Sequence, residues 1–180
     1  LAYGRAIDFL DVATSEVHEL CRISGETTQL CGRDGDHMVV LAMADAPGHF
    51  RVSSRVGTRF PLNWTASGPL LVGHLPEFER VALFRNAAKV SPTGRSETDP
   101  VRLAREAEVA LAQRLSVHLS ESDFAVVCIA SPICNRDGEC VATISLVVPE
   151  QKAAQRGDEF ARLVREASQR IEAMLGWGAH

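Results

Sequence analysis

Two nearly unbroken apolar runs, residues 125–134 and 140–148, constrain this chain most; only Asn135-Arg136-Asp137-Gly138-Glu139 separates them. Runs this rich in Val, Ile and Ala leave neither face suited to water, so they read as two strands covered on both sides. The polar connector with its Asp-Gly step is a hairpin turn. A second hairpin precedes it: residues 27–33 and 37–44 are apolar runs flanking Asp34-Gly35. Ala46-Pro47-Gly48 interrupts the chain, residues 50–56 read as a third strand, and Gly57 turns it.

Helical periodicity occupies the rest. Residues 5–23 place Ile7, Leu10, Val17 and Leu20 near three- and four-residue spacing, and Ser24-Gly25 is a stop signal because glycine adopts the left-handed cap. Residues 65–73 read as a short helix; Pro69, tolerated only in a first turn, sets its start no earlier than about Asn63. Residues 76–86 make a further helix, and 91–99 a polar loop. Asp99-Pro100 then opens a helix running to about Ser116, with Asp as N-cap and Pro at the first helical position. Residues 157–175 close the chain with Phe160, Leu163, Val164, Ala167, Ile171 and Met174 on one side. Hairpin-linked strands with helices between and around them define an α+β domain with an antiparallel sheet.

With 180 residues and 46% hydrophobic content, residues 1–180 suit one domain with a substantial core. A net charge of -4 and a pI near 5.9 exclude a free-standing nucleic-acid binder, which carries a basic face. Any DNA contact is expected from a segment outside this chain. No apolar run approaches the roughly 18 residues a membrane span needs. Leu1 to Leu10 carry Arg5 and Asp8 and lack a signal-peptide pattern. Five cysteines, an odd number without a CxxC pair, suggest reduced thiols in the cytoplasm rather than a disulfide framework or zinc ribbon. Neither GxGxxG nor GxxxxGK[ST] occurs, and no cofactor or metal is expected.

Three stretches in order resemble the effector-binding domain of the IclR family of bacterial transcription regulators. Gly25-Glu26-Thr27 leads into a strand. Val56-Gly57-Thr58-Arg59-Phe60-Pro61-Leu62-Asn63-Trp64-Thr65-Ala66-Ser67-Gly68 is similar to the family's VGxRxPLxxTAxGKA. Cys128-Ile129-Ala130-Ser131-Pro132-Ile133, then Asp137-Gly138 and Val141-Ala142-Thr143-Ile144-Ser145, resembles CIAAPVxDxxGxxVAALS. The resemblance implies a GAF-like fold of about six antiparallel strands flanked by helices, a winged helix-turn-helix domain preceding it, and homodimers or homotetramers. It implies a sensor of small organic acids, not an enzyme. Pro69 in place of Lys, Val147-Val148-Pro149 in place of a more polar ending, and His118 in place of an acidic residue depart from the pattern.

Carried over residue by residue, the resemblance puts the backbone amides of Ala66 and Ser67 at a helix start, facing an anion. It adds the side chains of His118, Cys128, Ser145 and Val147. Trp64 offers a flat apolar surface and Val52, on the expected third strand, a floor. Together these suit an acid with an apolar, even aromatic, body. Each also has an ordinary reading: Cys128 as a core thiol, His118 as a cap after the helix ending near Ser116, Ser145 as a plain strand residue, Trp64 as core. Three rivals follow from the same residues. One is a Cys128–His118 enzyme with Glu121 or Asp123 orienting the imidazole. Another is a metal site on His118 and Cys128. The last is a GAF-like sensor of another family.

Overall fold

Both expected hairpins form in the computed structural model, which describes residues 2–178, with side chains from Asp8 onward. After helix α1 (Ala2–Ser24), strands β1 (Thr27–Asp34) and β2 (His37–Ala44) fold about Gly35, whose φ of 62° suits glycine. β5 (Val126–Cys134) and β6 (Cys140–Pro149) fold about Gly138. The hairpins join through β1 and β6, where Gln29 faces Ser145 and Leu30 faces Ile144. Short strands β3 (Arg59–Pro61) and β4 (Ser116–Leu119) complete a six-stranded antiparallel sheet ordered β3-β2-β1-β6-β5-β4. The expected α+β class is therefore met.

Strand alternation sends side chains to two different layers. Leu30, Ile129, Ile144, Leu146 and Val148 pack beneath α1 and α5 (Glu150–Met174) with Val17, Leu20, Phe160, Val164 and Ile171. Burying each large aliphatic or aromatic side chain contributes about 1.5–3 kcal/mol before chain entropy is charged against it. The opposite face carries Cys31, Val40 and Ala130. It is covered by a 3-10 turn (Leu62–Trp64) and by α2 (Ser67–Val72), α3 (Glu77–Ala87) and α4 (Pro100–Gln113).

Local signals explain the helix ends. Gly25 takes φ 74° after α1, and its amide donates to the Cys21 carbonyl. Asp99 accepts from the Val101 amide ahead of Pro100, as a capping residue should. α5 begins at Glu150, earlier than the periodicity suggested, and crosses a non-helical Arg156 (φ -124°, ψ 19°) beside Gly157, which is where the regular pattern was expected to start.

Several expectations are corrected. Residues 50–56 are not a strand: the third strand is Arg59–Pro61, and 50–56 is an irregular segment laid across the sheet. Its sequence alternates well enough for a strand, but its hydrogen bonds go to side chains. Gln29 Nε2 donates to Ser54 Oγ at 2.8 Å, and the Ser53 amide donates to Asp123 at 3.1 Å. The helix expected to reach Ser116 stops at Gln113, where Arg114 turns left-handed (φ 54°), and the chain then enters β4. Leu10 and Met174, expected on apolar faces, are exposed. The side chain of Ile7 lies outside the described residues.

Candidate functional site

The start of α2 is built by close backbone packing. Pro61 leads into the 3-10 turn, Thr65 is extended (φ -127°, ψ 154°), and Ala66 already has helical angles. Thr65 Oγ1 accepts from the Gly68 amide at 2.9 Å. The amides of Ala66 and Ser67 have no acceptor among the described residues. α2 has only 6 residues, so these amides act as local donors with little macrodipole behind them. Gly68 serves the scaffold: a Cβ there would lie 1.8 Å from the Leu62 carbonyl oxygen. It lets two backbone segments touch.

A cleft lies between this turn and the sheet. Gln29, Cys31, Cys128, Ser145 and Val147 form its floor, Met38, Phe60 and Trp64 one wall, and Ser54 with Ser120–Asp123 the mouth. Ladder pairs explain the floor: His118 faces Cys128, Cys128 faces Val147, and Ser145 faces Gln29, so each row shares one side of the sheet. The cleft holds about 530 Å³ of atom-free space, part of it open to solvent, but the centre of a water molecule can move through only about 40 Å³. The narrower figure limits a guest that leaves the side chains where they are; the wider one measures the room available once they shift.

Several of its side chains are held by partners outside the cleft. Ser67 Oγ accepts from Thr143 Oγ1 at 2.6 Å, fixing α2 to β6. Trp64 donates to the Lys89 carbonyl at 2.9 Å and rests against Phe60, with ring centres 6.3 Å apart. Buried Asn63 donates to the carbonyls of Lys89 and Glu97 and accepts from the Lys89 amide, which holds the loop before α4 against the turn.

The electrostatics are lopsided. Among the described residues no Lys, Arg or His lines the cleft, whereas two carboxylates stand at its mouth. Glu121 is buried; its Oε2 accepts from Ser91 and Thr93, and its Oε1 lies 3.6 Å from His118 Nε2. Asp123 accepts from the amide and hydroxyl of Ser53. Burial pushes the Cys128 and Cys31 thiols up to about 12, so both are neutral thiols at physiological pH. Burial pulls the His118 imidazole below its ordinary value, with the nearby Glu121 charge opposing.

Of the candidate residues, Trp64, Ala66, Ser67, Cys128, Ser145 and Val147 line the cleft. Val52 sits just behind, packed with Val126 and Val147, and it arrives on the irregular segment instead of a strand. His118 lies on β4, not as a cap after α4. It lines a shallow groove beside Pro69 and α4 and meets the lining of the main cleft at Glu121 and at its ladder partner Cys128. Gln29, Phe60, Ser54, Glu121 and Asp123 were not assigned to this pocket from the sequence. The one visible signal was Gln29, a polar residue inside an apolar strand. A cysteine–histidine nucleophile fits poorly, because Cys128 holds its proton. Among the described residues, no group of three or more His, Cys, Asp or Glu side chains is arranged to hold a metal, and no helix is long and apolar enough to cross a membrane.

An antiparallel α+β fold with a narrow cleft between its sheet and a short helix is the architecture of a ligand-binding domain. The profile of the bacterial transcriptional regulator IclR C-terminal domain matches residues 2–173, and this chain belongs to that family as an effector-binding domain. The HTH-type transcriptional repressor AllR of Salmonella paratyphi A is 30% identical over 178 residues, covering 97% of this chain; the chain spans 65% of that relative's length. The C-terminal domain of the Escherichia coli transcriptional regulator KdgR superposes with a TM-score of 0.81 at 25% identity, over 94% of this chain and 99% of that one. An IclR homolog from Microbacterium hydrocarbonoxydans, complexed with 4-hydroxybenzoate, has a TM-score of 0.81 at 24% identity, over 95% of this chain and 69% of that one.

Proposed function

We propose that the cleft takes a compact organic acid, with its carboxylate on the amides of Ala66 and Ser67 and its apolar body between Trp64 and Val147. The observation that carries this reading is that Ala66 and Ser67, whose amides have no acceptor among the described residues, line an apolar-walled cleft with no Lys, Arg or His among its described lining residues. Two backbone donors hold a carboxylate without the desolvation cost of burying a guanidinium. Glu121 Oε1 and Asp123 at the mouth favour an acid whose far end donates a hydrogen bond, such as a phenol. The related structure with 4-hydroxybenzoate supports an aromatic acid of about one ring. A guest that size needs small outward shifts of Phe60 or the 120–123 loop.

The whole protein, in this reading, is a cytoplasmic regulator and not an enzyme. Residues 1–180 are its sensing domain, DNA is bound by a winged helix-turn-helix segment outside this chain, and the assembly is a homodimer or homotetramer. α1 is the relay, because its buried face (Ala13, Val17, Leu20) packs on the same sheet that floors the cleft from the other side. Occupancy acts only if the acid binds one assembly state better than another.

A thermal-shift panel tests the acid assignment. 4-Hydroxybenzoate, benzoate and a small 2-oxo acid are compared with the corresponding neutral amides. Stabilisation that rises with acid concentration and is absent for the amides is expected. Equal shifts for acid and amide, or none for any acid at millimolar concentration, would sink it.

A further inference from the structure

At the far end of the central hairpin, away from the cleft, Cys134 on β5 stands directly opposite Cys140 on β6. The turn between them closes with the Asn135 amide donating to the Glu139 carbonyl at 3.0 Å. That places the next pair, Cys134 and Cys140, at a non-hydrogen-bonded position, where backbone N–H groups point outward and side chains come closest. The outward amides bear this out. Cys134 N donates to Glu172 Oε2 at 2.7 Å, and Cys140 N donates to His74 Nδ1 at 3.2 Å. Paired Cα atoms at such a site lie about 4.5 Å apart, within the span a disulfide bridges.

The thiols also differ in character. Contact with Cys140 lowers the Cys134 pKa, and nearby Arg114 adds to this; burial holds Cys140 well above the ordinary thiol value. One sulfur is thus the better nucleophile and the other a protonated resolving thiol. Neither residue lines the cleft.

We propose that Cys134 and Cys140 are a modification site that closes reversibly to a cross-strand disulfide on exposure to a peroxide. The Cys134 thiolate attacks one peroxide oxygen, the O–O bond breaks, and a sulfenic acid forms as hydroxide leaves and takes up a proton. Cys140 sulfur then attacks Cys134 sulfur, the S–O bond breaks, and a second water departs. Two thiols lose two electrons and two protons, and one peroxide becomes two waters. The bond would lock the bulge between Ile133 and Cys134 at the joint where Glu172 of α5 and His74, just after α2, meet the hairpin.

Peptide mapping decides the matter. The full chain is treated with hydrogen peroxide, quenched in acid, unfolded and alkylated. Before oxidation all five cysteines should alkylate. Afterwards two fewer should, with a Cys134–Cys140 linked peptide lighter by two hydrogens that dithiothreitol reverts. In Cys140→Ser, dimedone should tag Cys134. Undiminished alkylation under peroxide that oxidises a control dithiol, a linkage between other cysteines, or dimedone adducts confined to Cys128 would each overturn the proposal. The wild-type map needs no variant, so a folding failure in Cys140→Ser leaves the test intact.

Discussion

The two faces of the sheet come from the same strands but are built differently. Beneath α1 and α5, the strand side chains are aliphatic and wholly buried: Leu30, Ile144, Leu146 and Val148. On the opposite face the same strands contribute Gln29, Cys31, Cys128, Thr143 and Ser145, and a cleft remains there. One face is filled and the other is furnished with hydrogen-bonding groups. The lesson is that stability and recognition are divided by strand parity, so neighbouring residues on β6 serve different ends.

That contrast breaks first if truncations on the two faces cost the same. Ile144→Ala leaves a void under α5 and should lower stability by about 2–5 kcal/mol in urea unfolding, against about 1 kcal/mol for Val147→Ser at the cleft. Gly68→Ala is the largest change expected on the cleft side. Its Cβ meets the Leu62 carbonyl, the α2 start must shift, and a cost of about 1–3 kcal/mol or more should come with loss of acid-induced thermal stabilisation. If acid binding survives Gly68→Ala unchanged, the amides of Ala66 and Ser67 are not the anchor.

Ser67→Ala sharpens the picture further. It removes the acceptor for Thr143 Oγ1 and should cost about 1–3 kcal/mol, because a buried hydroxyl is left unpaired, while the Ser67 amide stays available. Pairing this with Thr143→Val, which removes both partners' need, should recover part of the loss in a double-mutant cycle.

The smallest effect is pH dependence. Burial lowers the pKa of His118 and of His74, so the folded chain takes up their protons less readily than the unfolded chain. Their contribution to stability is complete above the ordinary histidine value of 6.5 and is lost as pH falls below it toward the folded-state values. Urea midpoints should therefore drop between about pH 7.5 and about pH 5.5, and His118→Asn should flatten part of that drop. An unchanged slope would mean that His118 is solvated in the folded chain.

Much of the fold was legible because its signals are local. Asp34-Gly35 and the Asn135–Glu139 connector need only their own residues to turn the chain, and Asp99 caps α4 through an amide two residues on. The short strands β3 and β4 were not legible. Three or four residues carry no period to read, and each exists only because a longer neighbour, β2 or β5, offers an unpaired edge. Residues 50–56 misled for the opposite reason: they alternate like a strand but join no ladder, and contacts with Asp123 and Gln29 hold them instead.

By itself, then, the sequence determined the two hairpins, the helix caps and the motif around Thr65-Ala66-Ser67 that placed the chain in its family. These depend on backbone preferences and side-chain periods within a few residues. Only the tertiary structure decided that Glu121 and Asp123 stand at the mouth, that His118 turns to a neighbouring groove, and that Cys134 meets Cys140. Those meetings depend on register between segments distant in the chain, where a shift of one residue would send every side chain to the other face.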